Sequence, residues 1–325
     1  MRHVLITGAS GFLGRRLTKT LIARRSLRWQ GEEAPIVRLT LIDRVAPLVL
    51  AGAGIAIDTL VGDLSDPSFL NRLLQQRFDT IFHLASGLTL EVERDPDGAY
   101  AANVDTLRRI IAGAEVPSTL VFTSSLAVYG GHPKTKVDEG HAVSPTTAYG
   151  THKAIAELLI ANASRCGKID GRVLRLPIVL ARAGPSNSTP TISDLVASIM
   201  REPLEGRDIV VPLAPKTIVP LTSAGTVAQA LIALHDAPRA ALPASRTINL
   251  PSLSVSVQDL AQHAQNRAPN GCAARIDYAP DERVQTIVES WPSLLASRFS
   301  QTLGIAHDPD IAALIDDYLL HRTEE

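Results

Sequence analysis

The sequence predicts a doubly wound α/β fold, a parallel sheet with helices on both faces, followed by a smaller C-terminal lobe. Short runs rich in Val, Ile and Leu alternate with helix-like segments through the first half, the order a parallel sheet requires. A glycine-rich turn joins the first such run to the first helix. After Val179 prolines crowd the chain and the strand pattern scatters.

Strands are predicted at Val4–Thr7, Ile36–Ile42, Ile57–Val61, Thr80–Leu84, Thr119–Thr123 and Arg172–Leu176, each apolar on both faces as buried parallel strands are. Helices fall between them at Phe12–Arg25, Pro67–Gln76, Gly98–Ala114 and Thr147–Arg165. The last carries Ala154, Leu158 and Ala161 along one face. Ser26–Pro35 reads as an inserted loop. Further on, helices fit Ile192–Arg201 (which Pro203 should soon end), Ser223–His235, Val257–Asn266 and Pro309–His321. The chain divides into a first domain over residues 1–180 and a lobe over 181–325, some late segments of which can return to the first domain.

Composition narrows the function. With 325 residues, 45% of them hydrophobic, the chain can bury a large core. Its 32 basic and 33 acidic side chains give a formal charge of -1, which argues against nucleic-acid binding, and no basic block suggests a membrane surface. Cys166 and Cys272 form neither a metal-type pair nor a disulfide framework, so a reducing cytoplasm is expected. Met1–Ile6 runs straight into a strand pattern without signal-peptide features, and no apolar run approaches the roughly 20 residues that span a bilayer. His83, His132, His141 and His152 lack metal-ligand spacing, so no metal is expected.

Gly8-Ala9-Ser10-Gly11-Phe12-Leu13-Gly14 follows the first strand and opens a helix. Gly8 permits the tight turn, Gly11 lets the backbone approach a pyrophosphate, and Gly14 lets helix and sheet pack closely. The helix N-terminus offers free N–H groups and a partial positive charge to the phosphates. This is the turn of a Rossmann-type dinucleotide fold. Asp43, ending the second strand, can accept both hydroxyls of an adenosine ribose and would repel a 2′-phosphate, so NAD is expected over NADP, although Arg44 follows it. Asp63 and Leu64 should lie near the adenine, and Leu84, Ala85 and Ser86 beside the cofactor.

Tyr149-Gly150-Thr151-His152-Lys153 sits on a predicted helix, and a spacing of four puts Tyr149 and Lys153 on one face. A phenol with its ordinary pKa of about 10 is a poor base at neutral pH, and a nearby ammonium favours the phenolate. Ser124 and Ser125 end the fifth strand, at the edge where an open α/β sheet receives its ligand.

Together, Gly8/Gly11/Gly14, Asp43, the Ser124-Ser125-x-x-x-Tyr129-Gly130 run and Tyr149/Lys153 resemble the extended short-chain dehydrogenase/reductase family. The resemblance makes Ser125, Tyr149 and Lys153 the catalytic residues. It gives Ser124, Asn103, Pro177 and Val179 to the cofactor side, Asn103 supporting the lysine. The run after Asn103 departs from the family, with Thr106 and Leu107 where Gly and Thr are common. Tyr149–Ile155, Ile169–Pro177, Arg182-Ala183-Gly184 with Asn187, and Arg201–Gly206 resemble the D-erythronate dehydrogenase branch. That branch usually reads R-P-G-K-P-N where this chain has Arg182-Ala183-Gly184-Pro185-Ser186-Asn187. The resemblance implies NAD-dependent oxidation of the C2 hydroxyl of a four-carbon sugar acid. Arg182 is the candidate for the substrate carboxylate, Thr89 is a further contact to substrate or nicotinamide, and Thr191 and Ser188 are weaker candidates of the same kind. It also implies a homodimer through Gly98–Ala114 and Thr147–Arg165. The alternative is a nucleotide-sugar 4-epimerase or dehydratase with tightly bound NAD. A non-catalytic NAD-binding regulator would not need Ser125, Tyr149 and Lys153.

Overall fold

In the computed structural model, which describes residues 1–29, 31–48, 54–87, 89–114, 118–131, 136–180, 191–268 and 274–321, a parallel sheet forms the body. The first half runs β1 (Arg2–Thr7), α1 (Phe12–Arg24), β2 (Ser26–Trp29), β3 (Glu32–Asp43), β4 (Ala56–Val61), α2 (Pro67–Leu73) and β5 (Thr80–His83). It continues through α3 (Thr89–Val92), α4 (Pro96–Tyr100), α5 (Thr106–Gly113), β6 (Thr119–Ser125), β7 (Lys136–Val137), α6 (Ala148–Arg165) and β8 (Asp170–Leu176). The second half holds β9 (Ile178–Leu180), α7 (Ile192–Leu204), β10 (Ile209–Val211), β11 (Ile218–Ser223), α8 (Ala224–Asp236), β12 (Thr247–Asn249) and β13 (Leu253–Ser256). It ends with α9 (Val257–Asn266), β14 (Ile276–Tyr278), α10 (Glu282–Glu289), β15 (Leu294–Leu295) and α11 (Ile311–His321).

The main sheet has the order β12-β8-β6-β5-β1-β3, and β3 is shared at its far side by β2 along its first half and β4 along its second. Every pairing but β2–β3 is parallel. Side chains alternate across a strand, so β1 feeds two cores. Val4 and Ile6 pack with Leu17 and Leu21 of α1 and Val227 and Leu231 of α8. Leu5 packs on the other face with Leu70, Leu107, Ile110 and Ile160 of α2, α5 and α6. A third core gathers Val196 and Met200 of α7 and Leu260 of α9 with Leu126, Val128 and Val137 from the first half.

The chain crosses between body and lobe several times. α8 packs on α1, and β12 pairs β8. β9 instead joins β11 and β13 in a three-stranded sheet, and β7 pairs β15. Arg172, buried on β8, donates to the carbonyls of Leu234, His235 and Ala237 at the end of α8 and to Asp170.

Three predicted elements differ. Ser26–Pro35 is a β-hairpin rather than a loop, pairing β2 with the start of β3. Leu27 is buried, Arg2 lies 3.9 Å over the Trp29 ring, and Gly31 takes φ +90° at the tip. The Gly98–Ala114 helix is divided by a π turn over Ala101–Asp105. α7 runs past Pro203 to Leu204: the missing proline N–H forgoes one bond, to the carbonyl four residues back, and the helix ends a residue later.

Buried Asp308 ties the strand–helix junction at β11–α8. It accepts from Thr222 Oγ1 at 2.9 Å, Ser223 N at 2.9 Å, Ser223 Oγ at 2.7 Å and Thr226 Oγ1 at 2.8 Å. Asp308→Ala strands these donors and should destabilise the fold by roughly 3 kcal/mol. Urea unfolding measures this, and a change within ~0.5 kcal/mol would contradict the assignment.

Candidate active site

Parallel strands all end on one edge, so the turns after β1, β3, β4, β5, β6 and β8 open on the same side. After β1, Gly8 takes φ +71°, and a Cβ there would lie 2.8 Å from Ala85 N. A Cβ on Gly14 would lie 2.2 Å from Gly8 O and 2.6 Å from Ala9 Cα. Bare glycine therefore lets α1 start hard against the sheet, with Phe12 and Leu13 in its first turn. Gly11 is the N-cap and no side chain caps it, so the first N–H groups of α1 point to this edge. This cradle fits a dinucleotide pyrophosphate. A nicotinamide dinucleotide would be held by these N–H groups and by the loops that follow β3 and β5.

Asp43 stands against the cradle. Its Oδ2 accepts from Ser10 N at 3.0 Å and its Oδ1 from Arg44 N at 2.7 Å, while Ser10 Oγ donates to Val45 O at 2.6 Å. Asp63 accepts from the amide and hydroxyl of Ser65, and that hydroxyl chiefly holds its carboxyl below the usual range. Leu64 beside it is buried. After β5, Leu84 N and Ala85 N bond Thr7 at 3.2 Å and 3.3 Å. Asn103, in the π turn, takes Ser86 Oγ at 3.1 Å and Gly87 N at 2.8 Å on its Oδ1, and its buried Nδ2 has no partner among the described residues. The π turn thus aims an amide at the loop the sequence had assigned to the cofactor.

Ser125, Tyr149 and Lys153 meet where β6 and α6 adjoin. The Ser125 hydroxyl hydrogen-bonds the Tyr149 phenol and also accepts from Ala127 N at 3.2 Å. Lys153 is buried, donates to Thr123 O at 2.9 Å, and lies 5.5 Å from the Tyr149 ring centre and 4.6 Å from that of Phe122. Burial pushes the lysine down to about 7, while the charge of Glu157 works the other way. Burial pushes Tyr149 up to about 12 against the Ser125 hydrogen bond. The sequence argument had the lysine lowering the tyrosine; in the resting site desolvation outweighs it.

The Ser124 hydroxyl, assigned by the sequence to the cofactor side, is engaged elsewhere. Successive strand residues face opposite ways, so its hydroxyl turns from Tyr149 and donates to Glu157 Oε1 at 2.5 Å, fully inside the protein. Thr191 closes a capping box with Asp194 at the start of α7, which engages its hydroxyl. Thr89 is buried at the start of α3, and Pro177 and Val179 are buried between β8 and the lobe. Arg182, Asn187 and Ser188 lie outside the described residues.

Three functional neighbours escaped the sequence reading. Glu93 Oε1 accepts from Ala148 N at 2.6 Å and Tyr149 N at 3.4 Å, capping the helix that carries the tyrosine. No local pattern marks it. Glu157 could have been found one turn beyond Lys153; Arg175, its partner, reads as an ordinary β-strand residue. A cleft of about 600 Å³, lined by Glu93, Thr147, Arg283 and Ile287 among others, opens between α6 and α10. Among the described residues no helix is long and apolar enough to cross a membrane, and no group of His, Cys, Asp or Glu is arranged to hold a metal.

This fold and site define an oxidoreductase enzyme that uses a nicotinamide cofactor on a CH–OH group. The sequence profile of the NAD dependent epimerase/dehydratase family matches residues 4–250, and the chain belongs to that family. It is 36% identical to a D-erythronate dehydrogenase of Cupriavidus necator over 98% of both chains. It is 35% identical to a D-erythronate dehydrogenase of Haemophilus influenzae, over 97% of this chain and 98% of that one. A crystal structure of a nucleoside-diphosphate-sugar epimerase from Agrobacterium tumefaciens superposes with a TM-score of 0.90 at 30% identity, covering 99% of this chain and 95% of that one.

The buried lysine predicts a pH effect on stability. Between its folded value of about 7 and the ordinary lysine value of 10.5, the unfolded chain holds a proton that the folded one does not. Stability should therefore rise with pH across that window, by up to about 1.4 kcal/mol per unit from this group, and this contribution is flat below it. Lys153→Met should remove that slope in urea unfolding followed across the window; a slope equal to wild type would place the titration elsewhere.

Proposed function

We propose that this protein oxidises the C2 hydroxyl of a short sugar acid, a four-carbon aldonate of the D-erythronate type, to the 2-oxo acid with reduction of NAD. The observation that carries this reading is near-full-length identity of 36% to a D-erythronate dehydrogenase, in a chain that keeps the Ser125–Tyr149–Lys153 cluster.

Tyr149, as phenolate, takes the proton of the C2 hydroxyl. Ser125, already bonded to the phenol, hydrogen-bonds the same substrate oxygen and steadies its developing charge. Lys153 favours the phenolate and holds the nicotinamide ribose. Bound NAD supplies the hydride acceptor, so the alcohol loses one proton and one hydride and a ketone results. Asp43 sets the preference for NAD, since a carboxylate at the end of that strand would repel a 2′-phosphate. Arg182 pairs with the substrate carboxylate, and Thr89 lines the same pocket. The proposal includes a homodimer formed through α4–α5 and α6, where Leu158 is 71% exposed; light scattering in solution measures it.

The test is NADH formation with a panel of aldonates of four to six carbons. Turnover on a four-carbon acid supports the reading. Silence on every acid, with epimerisation of a nucleotide sugar, would replace it with the activity named for the Agrobacterium neighbour. Tyr149→Phe should lower kcat by roughly 10²–10⁴-fold while NAD still binds. Turnover like wild type in that variant would remove Tyr149 from the chemistry. Asp43→Ser should narrow the preference for NAD over NADP in kcat/KM; an unchanged ratio would assign cofactor choice to another residue.

A further inference from the structure

Behind the catalytic side chains lies a buried polar chain that the reaction itself does not use. Glu157 sits one turn beyond Lys153 on α6 and is 6% exposed; Arg175 on β8 is 5% exposed. Arg175 donates from Nε to Glu157 Oε1 at 2.8 Å and from Nη2 to Oε2 at 2.6 Å, a two-point pairing. Glu157 Oε1 also takes the Ser124 hydroxyl at 2.5 Å. Arg175 donates onward to Tyr129 Oη, which bonds Asn249 Oδ1 at 3.0 Å, and Asn249 Nδ2 donates to Ala296 O at 2.9 Å.

One carboxylate therefore touches three elements at once. It is part of α6, which carries Tyr149 and Lys153. It holds Ser124, whose chain neighbour is Ser125. It holds β8 through Arg175. Among the described residues, Lys153 Nζ hydrogen-bonds only to Thr123 O, on the same strand end. A slip between α6 and β6 would separate Lys153 from that carbonyl and Ser125 from Tyr149 together. We propose that Glu157, anchored by Arg175, is a positioning residue that fixes the register of α6 on β6 and so holds Lys153, Tyr149 and Ser125 in working geometry. A buried ion pair is a poor source of stability compared with apolar packing, but a strong source of fixed orientation.

The carboxylate also faces the lysine. Around Lys153 stand Glu157 and Tyr149 on its own helix, His152 beside it, and His83 across on β5. His83 is held down to about 3 by burial and by the lysine charge, and burial likewise lowers His152. Both are neutral near pH 7, so Glu157 is the charged group opposing the lysine's desolvation, its effect tempered by Arg175.

The inference rests on the hydride-transfer reading above, and its test separates the two. Glu157→Gln is made in the full chain, with Ser124→Ala as a second variant that leaves the ion pair intact. The first readout needs no substrate: titration of Lys153 by NMR of ¹³C-labelled lysine, assigned with Lys153→Arg. In Glu157→Gln the lysine should lose its proton at lower pH than in wild type. The second readout is turnover on whichever substrate the wild type accepts. Glu157→Gln should lose roughly tenfold to hundredfold in kcat with little change in NAD affinity, and Ser124→Ala should lose kcat without moving the lysine titration. Folded Glu157→Gln with wild-type kcat and an unmoved lysine would overturn the inference, as would lowered thermal stability alone. If Glu157→Gln does not fold, wild-type kcat in Ser124→Ala overturns it. A wild type silent on every sugar acid counts against the substrate reading, while an unmoved lysine titration in folded Glu157→Gln would still overturn the inference.

Discussion

A parallel sheet sends all its strands out at one edge, and everything chemical in this protein follows from that constraint. Thr7, Asp43, His83, Ser125 and Leu176 end their strands there. The loops that leave them carry the glycine cradle, the acidic turn, the Asn103-bonded Ser86 and the hydroxyl beside Tyr149. None of these groups is near the others in sequence. The sheet's register brings them together: Thr7 pairs with Ile42 and His83, and His83 with Phe122. Once β1 is buried on both faces, with Val4 and Ile6 on one side and Leu5 on the other, that register has little freedom.

Much of this was legible from residues alone, because the signals were local. The strand at Val4–Thr7, the glycine turn and the Tyr149/Lys153 spacing each sit within a few residues, and local patterns are what single-chain reading resolves. The hairpin at Ser26–Pro35 was missed because its evidence is distant: Trp29 is held by Arg2, and Leu27 by a core assembled from other strands. The π turn at Asn103 was invisible because its helical pattern is continuous on either side. The Ser124 hydroxyl was assigned to the cofactor side, and its bond to Glu157 could not be foreseen because that partner lies 33 residues away on another element. Glu93 gave no sign at all, since its partners lie more than fifty residues away.

The interior around Lys153 also shows how far burial can overrule a motif. An ammonium on a helix next to a phenol suggests an acidic tyrosine. Enclosed among Phe122, Ala156 and the end of β6, the lysine is instead pressed to give up its charge and the tyrosine to keep its proton. At rest the one buried ion pair behind this site, Glu157–Arg175, belongs to its frame and not to the reacting groups. The opposed shifts of the lysine and the tyrosine come from the same cause, burial, and not from the pair's own charge.

The crossings between body and lobe have a consequence for how the chain can come into being and change. β12, the edge strand of the main sheet, and α8, the helix that covers α1, leave the ribosome only after β9 and β11 have been made. The nucleotide-binding part is therefore incomplete for most of synthesis, with the apolar face of α1 uncovered until residue 236 emerges. The core on one face of β1 is closed only when α8, from the second half, packs on α1. A change in the late segments that shifts α8 or β12 would therefore be felt at the first strand and the turn that follows it.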